Sequence, residues 1–98
     1  MQQIEAVIDK FKLQEVRSAL EDMGIEDFME STIKCYQKGR VMMFRGATFV
    51  ANIAEKAKLE IITEDDSVSR IVELIETIAR TGRKDDCRIA VRPCLEVH

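Results

Sequence analysis

The sequence predicts an α+β fold in which two helices cover one face of an antiparallel sheet. Two observations lead to this prediction. In some segments apolar and polar side chains alternate, as in strands, and in two others apolar residues recur every three or four positions, as in helices. These segments follow the order β-α-β, a long connection, and a second β-α-β, which is typical of a two-layer sandwich. The 98 residues suffice for a single domain, residues 1–98.

The first half of the chain contains a strand, a helix and a second strand. Residues 3–9 alternate apolar and polar side chains and predict the first strand. Apolar residues at helical spacing then predict a helix over residues 13–23, and Gly24 is a suitable residue to end it. The second strand is expected at residues 28–36, where β-branched Thr32 and Ile33 lie near the centre.

Residues 37–55 are polar, contain glycine and are expected to form a long loop. A loop of that length is uncommon in a small domain unless it has a function. Because the segment also contains apolar residues, strand or short helix within part of it is left open.

The second half repeats the pattern. Residues 57–63 alternate as a strand, and residues 68–79 carry one apolar stripe preceded by three acidic residues, which suit a helix N-terminus. Gly82 is expected to end this helix, residues 89–91 to form the last strand, and Pro93 to limit it. The predicted architecture is therefore a ferredoxin-like βαββαβ sandwich with an antiparallel sheet. Val7 and Ile62 point to the face without helices, so burial against other subunits is expected.

Composition narrows the classes of function. Hydrophobic residues make up 46% and charged residues 34% of the chain, which is typical of a globular protein, and the net charge of −3 argues against a general nucleic-acid binder. Cys35, Cys87 and Cys94 show no metal-type spacing, and no apolar run is long enough to span a membrane. We therefore expect a cytoplasmic location with reduced thiols and no membrane insertion.

Several segments, taken in order over residues 1–91, resemble the PII signalling family. They are IEAVIDKFKLQEVRSALEDMGI at residues 4–25, QKG at 37–39, FRGATF at 44–49, KAKLE at 56–60, TEDD at 63–66 and ARTGRKDDCRIAV at 79–91. The resemblance implies a homotrimer that binds adenine nucleotides between its subunits and acts without catalysis. It implies a T-loop at about residues 36–55, a B-loop at about residues 81–88, and a target transporter or enzyme controlled through the T-loop. Second effectors in such a protein of carbon or nitrogen metabolism would be 2-oxoglutarate or bicarbonate.

The resemblance also assigns residues to sites. The nucleotide-binding residues would be Lys34, Gln37, Glu60, Ile62, Gly82, Arg83, Asp85, Asp86, Cys87 and Arg88. The second effector would contact Gln37 and Lys56. The partner-binding loop would present Met42, Met43, Phe44, Arg45 and Phe49. The chemistry of these residues agrees, because a Thr-Gly turn with nearby cations suits phosphates and the carboxylate of Glu60 can accept hydrogen bonds from an adenine amino group or ribose hydroxyls.

Some positions depart from the family pattern. The family's glycine-rich run at the T-loop base, K-G-F-G-R-Q-K-G, is shorter here and has Cys35 and Tyr36 in its place, so the backbone approaches a triphosphate less closely. We therefore expect ADP or AMP to be preferred to ATP, with no cofactor required and the role of Mg²⁺ open. Phe49 lacks the hydroxyl that some relatives modify with a nucleotidyl group. Arg92 is the residue expected to replace, in part, the family's distal phosphate-binding arginines.

Two other classes of function remain open. One is a structural trimer that has lost ligand binding, which the missing glycines favour. The other is a weak nucleotide hydrolase, against which stand the lack of a nucleophile–histidine pair and the presence of a single histidine, His98.

Overall fold

In a computed structural model, four strands and two helices form the predicted α+β sandwich. The structure describes residues 1–82, 86–95 and 97, with the side chains of these residues except 37–44 and 47–52. The elements in chain order are β1 (Gln2–Asp9), α1 (Leu13–Asp22), β2 (Met29–Phe44), β3 (Ala47–Thr63), α2 (Val68–Ala79) and β4 (Cys87–Pro93). In the described part of the chain, neither helix is long and apolar enough to cross a membrane.

The sheet is antiparallel throughout and has the strand order β2-β3-β1-β4. The first strand therefore lies in the interior of the sheet, between β3 and β4. This order confirms the predicted ferredoxin-like fold. The register pairs Val7 with Lys58 of β3 on one side and with Arg88 of β4 on the other.

Local interactions begin and end α1. The Asp9 carboxylate accepts a hydrogen bond from the backbone N–H of Phe11 at 3.1 Å, which starts a 3₁₀ turn over Lys10–Lys12 before the helix. At the other end, the N–H of Ile25 donates to the carbonyl of Leu20 while Gly24 adopts a φ of 86°. This is the left-handed glycine stop that the sequence predicted.

The second helix begins at Val68 after a 3₁₀ turn of acidic residues, Asp65–Ser67. It ends at Ala79 because Arg80 takes an extended conformation, with a φ of −83° and a ψ of 114°. Gly82, expected to end the helix, lies two residues after Arg80 with a φ of 89°.

The segment expected to form a long loop is a β-hairpin instead. Strands β2 and β3 continue through residues 37–55 and pair up to Phe44 and Ala47, with one register shift between Tyr36 and Arg40. The turn consists of Arg45 and Gly46, with φ values of 53° and 79°. Positive φ at both central residues is the geometry that matches the twist of two paired strands. The T-loop predicted at residues 36–55 is therefore an extension of the sheet.

We call the two sides of the sheet the closed face, which the helices cover, and the open face. The core lies between the closed face and the helices and consists of fully or almost fully buried side chains: Ile4, Ala6, Ile8, Val16, Leu20, Ala57, Leu59, Ile61, Ile71, Ile75 and Ala79. On the open face Ile62 is 36% exposed, as predicted for an uncovered surface. Val7 is buried, because the long side chains of its neighbours Lys58 and Arg88 flank it.

Candidate functional site

The open face changes chemical character along β3. Its side chains on this face are, in order, Ile62, Glu60, Lys58 and Lys56, since alternate residues of a strand point to the same side. At about 3.3 Å per residue, this row spans about 20 Å from an apolar and acidic end to a basic end. The same face can therefore receive an apolar ring at one end and an anion at the other.

The basic end is a cleft that gathers cations from three strands. A cavity of about 270 Å³ is lined by Lys34 of β2, Lys56 of β3 and Arg88 of β4, together with Val7, Ile33, Cys35 and Tyr36. The three cations were predicted from the sequence as ligand-binding residues, and the fold brings them together. By strand alternation Lys56 and Arg88 point to the open face with Ile33 and Cys35, whereas Lys34, which pairs with Glu55, points to the other side. Two positive side chains beside a partly apolar cavity suit a phosphate or carboxylate group.

The apolar and acidic end holds the other predicted pair. Glu60 and Ile62 line a second cavity, of about 460 Å³, together with Phe28, which precedes β2, and Met29, its first residue. The other lining residues are Met1, Glu26, Asp27 and Val97. A carboxylate beside apolar walls can accept hydrogen bonds from the edge of a flat ring that the walls contact.

A network of four charges crosses the open face between these ends. The Nζ of Lys58 lies 3.0 Å from Oε1 of Glu60 and 3.5 Å from Oε1 of Glu5. A guanidinium nitrogen of Arg92 lies 3.0 Å from the other oxygen of Glu5. The hydrogen bond to Glu60, followed by the charge of Glu5, raises the pKa of Lys58 above its usual 10.5. Lys58 therefore stays charged at neutral pH.

A buried carboxylate, that of Asp86, lies immediately before β4. Asp86 is 3% exposed and accepts hydrogen bonds from the backbone N–H of Thr81 and, at 2.6 Å, from the Thr81 hydroxyl. The next residue, Cys87, faces the core, and burial raises the pKa of its thiol. The structure thus places two residues predicted to bind nucleotide, Asp86 and Cys87, with their side chains in the interior of the subunit.

Comparison with known proteins identifies the family. The model of the family described as "Nitrogen regulatory protein P-II" matches residues 1–97. A nitrogen regulatory protein P-II from Azospirillum brasilense is 41% identical over 99% of the chain and 88% of its own length. Those from Rhodospirillum rubrum and Bradyrhizobium diazoefficiens are 40% and 39% identical, each over 93% of the chain and 83% of its own length.

The chain belongs to the PII family. The resemblance read from the sequence is confirmed over residues 1–97. PII proteins are non-enzymatic signal transducers, so the expectation of a regulatory protein rather than an enzyme is also confirmed. Within the described residues, no three His, Cys, Asp or Glu side chains cluster so as to hold a metal ion.

Some predicted PII site residues lie outside the described part of the chain. Arg83 and Asp85 are among them. The side chains of Gln37, Met42, Met43, Phe44 and Phe49 are too, although the backbone of these five residues belongs to the hairpin. Arg45, the remaining residue of the predicted partner-binding loop, is exposed at the turn of the hairpin.

Two residues of the site, Lys58 and Glu5, were missed by sequence reasoning. Lys58 and Glu5 alternate with apolar residues on their strands, which marks them as open-face residues, but only the register of β1 against β3 makes them partners. Thr81 was noticed as part of a Thr-Gly turn. Its hydrogen bond to Asp86, five residues later, was not predicted.

Proposed function

We propose that this PII protein is a regulator that binds an adenine nucleotide on the open face, with ADP or AMP preferred to ATP. The base would occupy the cavity at Glu60 and Ile62, and the phosphates the cleft of Lys34, Lys56 and Arg88. The observation that carries the proposal is that a hydrogen-bond acceptor with apolar walls and a cleft with the cations of Lys56 and Arg88 share one sheet face. Glu60 and Lys56 are four residues apart on β3, or about 13 Å, which suits an extended nucleotide.

The proposed assembly is a homotrimer with the open faces turned toward neighbouring subunits. Apolar side chains on this face support it, because Met29 is 59% and Ile62 36% exposed in a single subunit. The charge distribution supports it too. One end of the face is acidic, with Glu26, Asp27 and Glu60, and the other is basic, so subunits arranged head to tail bring opposite charges together.

The proposed output is the hairpin formed by β2 and β3. Tyr36 lines the basic cleft and is the last residue paired before the register shift, so a ligand in the cleft contacts the base of the hairpin. The hairpin would regulate a transporter or enzyme of nitrogen or carbon metabolism in the cytoplasm. A second effector, 2-oxoglutarate or bicarbonate, would bind at Gln37 and Lys56, where Lys56 supplies a cation of the cleft.

Titration calorimetry tests this proposal. The wild-type protein would be titrated with ATP, ADP and AMP, each with and without Mg²⁺, and then with 2-oxoglutarate or bicarbonate added. Arg88→Ala should weaken nucleotide binding by about tenfold, a loss typical of removing a cation that contacts phosphate, while sedimentation shows the trimer unchanged. Arg17→Ala is the matched control, because Arg17 pairs with Glu30 at 2.8 Å, away from both cavities. Unchanged affinity in Arg88→Ala would remove Arg88 from the site.

One observation favours a second function, a structural trimer without ligand. The family's glycine-rich run has lost two glycines here, and Cys35 and Tyr36, which stand in its place, both line the cleft where phosphates would bind. The absence of binding by any nucleotide in the titrations above would establish this alternative in place of the proposal.

A further inference from the structure

We propose that Lys58 is a positioning residue. It holds the Glu60 carboxylate where it accepts a hydrogen bond from the base, and it so sets a preference for a 6-aminopurine. This inference rests on the proposed nucleotide site. Lys58 is not among the residues that line either cavity. Glu5 pairs with Lys58, and Arg92 pairs with Glu5, so both residues belong to the same inference.

The ion pair with Lys58 holds one oxygen of the Glu60 carboxylate in place. Lys58 and Glu60 lie two residues apart on the same face of β3, with Nζ 3.0 Å from Oε1. Among the described residues, the ion pair of Glu60 is made through Oε1, while the residue also lines the apolar cavity. A carboxylate pinned through one oxygen has its second oxygen in a defined place, and we assign that oxygen, Oε2, to the ligand.

The charges alternate across three strands, from Arg92 of β4 to Glu5 of β1 and then to Lys58 and Glu60 of β3. Each inner member has an opposite charge on both sides, at 3.0 to 3.5 Å. The side chains of Glu5, Lys58 and Glu60 are only 22–28% exposed, so water screens these pairs less than it would on an open surface. Glu5 therefore keeps Lys58 directed at Glu60, and Arg92, whose side chain is 53% exposed, adds the outer charge.

An ionised, fixed carboxylate has a specific chemical preference. It accepts hydrogen bonds and cannot donate them, so it favours the amino group at position 6 of adenine. Hypoxanthine presents a carbonyl oxygen at that position, and two acceptors facing each other leave both without a donor. Without Lys58 the carboxylate would lose its orientation, and this loss would reduce the discrimination.

The test compares ADP with inosine 5′-diphosphate, since the two nucleotides have the same phosphates and ribose. Wild-type protein should bind ADP more tightly, by about tenfold, because a site built to pair with an amino group rejects a base without one. Lys58→Met should bring this ratio close to one by weakening ADP, with inosine diphosphate nearly unchanged. Glu60→Leu removes the acceptor and should do the same, and the double variant should lose no more than either single variant, because both act through one contact.

Three further variants serve as controls. Lys58→Arg keeps the charge and should retain most of the discrimination. Lys12→Met removes an ion pair of 3.8 Å on the outside of α1 and should leave the ratio unchanged. If Lys58→Met does not fold or assemble, Glu5→Gln decides, because it withdraws a partner of Lys58 without removing the lysine. In that variant a smaller ratio supports the inference, and a wild-type ratio overturns it.

The outcomes separate the two proposals. If wild-type protein binds ADP and Lys58→Met keeps the full preference for ADP over inosine diphosphate, the inference fails while the nucleotide site stands. If wild-type protein binds neither nucleotide, the proposed site and the role of Lys58 fall together.

Discussion

The two faces of the sheet come from the same strands but differ in what their side chains do. On the closed face Ile4, Leu59 and Ile61 are fully buried against the helices. On the open face Glu5, Glu60 and Ile62, the next residues along the same strands, are half-buried or exposed and form cavities and ion pairs. Because strand residues alternate, one segment can specify the core and carry the proposed site at the same time. Stability and recognition can therefore be changed separately by substitutions at adjacent positions.

The largest expected effect comes from substituting neighbours on opposite faces. Ile61→Ala should lower the free energy of unfolding by about 3 kcal/mol, because it leaves a cavity in the core. Ile62→Ala should cost less than about 1 kcal/mol in the isolated subunit, since the side chain is already 36% exposed. Urea unfolding at several protein concentrations measures both. The Ile62→Ala deficit should grow where subunits assemble, while the Ile61→Ala deficit should not.

Equal losses in the two variants at low protein concentration would contradict the distinction between the faces. Such a result would mean that the open face is covered within one subunit. Far-ultraviolet circular dichroism of both variants checks that each keeps its secondary structure before the unfolding data are compared.

The next effect concerns Asp86, which is a polar exception among buried residues. Thr81→Val removes the hydroxyl that donates to the Asp86 carboxylate at 2.6 Å while keeping the size of the side chain. Because hydrogen bonds to a charged group are stronger than neutral ones, we expect a loss of about 2 kcal/mol in thermal or urea unfolding. Thr81→Ser retains the hydroxyl and is the control. Equal stability of the valine variant and wild type would show that the hydrogen bond from the Thr81 hydroxyl adds nothing to stability.

The smallest expected effect is a difference in reactivity between two thiols, one on each face of the sheet. Cys87 lies on the closed face and is 7% exposed, whereas Cys35 lines the basic cleft. Burial raises the pKa of Cys87 above its usual 9.0, so its thiolate is scarce and shielded. Iodoacetamide should modify Cys35 at least about tenfold faster at pH 8, as followed by peptide mass analysis.

The raised pKa of Cys87 also predicts how its contribution to stability changes with pH. A folded-state pKa above the unfolded value means that Cys87 contributes its full stabilisation below pH 9 and loses it as the pH rises through the raised value. Cys87→Ala should therefore differ from wild type less at pH 10.5 than at pH 8. Equal modification rates of the two cysteines would show that Cys87 is reached without unfolding.

The fold could largely be predicted because its core elements show clear periodicity. Both helices were predicted with their starts at Leu13 and Val68, where the apolar stripes begin. The hairpin could not be predicted, because residues 37–55 lack alternation and its turn is Arg-Gly rather than a more typical Asn-Gly. The last strand extends over Cys87–Pro93 rather than residues 89–91. Its pairing with β1 continues beyond the residues whose apolar and polar side chains indicate a strand.

The site, like the fold, has a part that could be predicted from the sequence and a part that could not. Lys34, Lys56, Arg88, Glu60 and Ile62 were predicted by family resemblance, and the strand register now shows which of them share a cavity. The ion pairs of Lys58 depend on which residue faces which across two strands. Shifting β1 by one position would reverse every partner, so no reading of separate strands could supply them.

The interior position of β1 has a consequence for the order in which the chain acquires structure. Its two neighbours in the sheet are β3 and β4, and the contact between Glu5 and Arg92 joins residues 87 positions apart. Strand β1 leaves the ribosome before both of its partners, and its second edge stays unpaired until residues 87–93 have been synthesised. Closing such distant contacts is slow, so the nascent chain has an exposed strand edge that chaperones or neighbouring chains can bind.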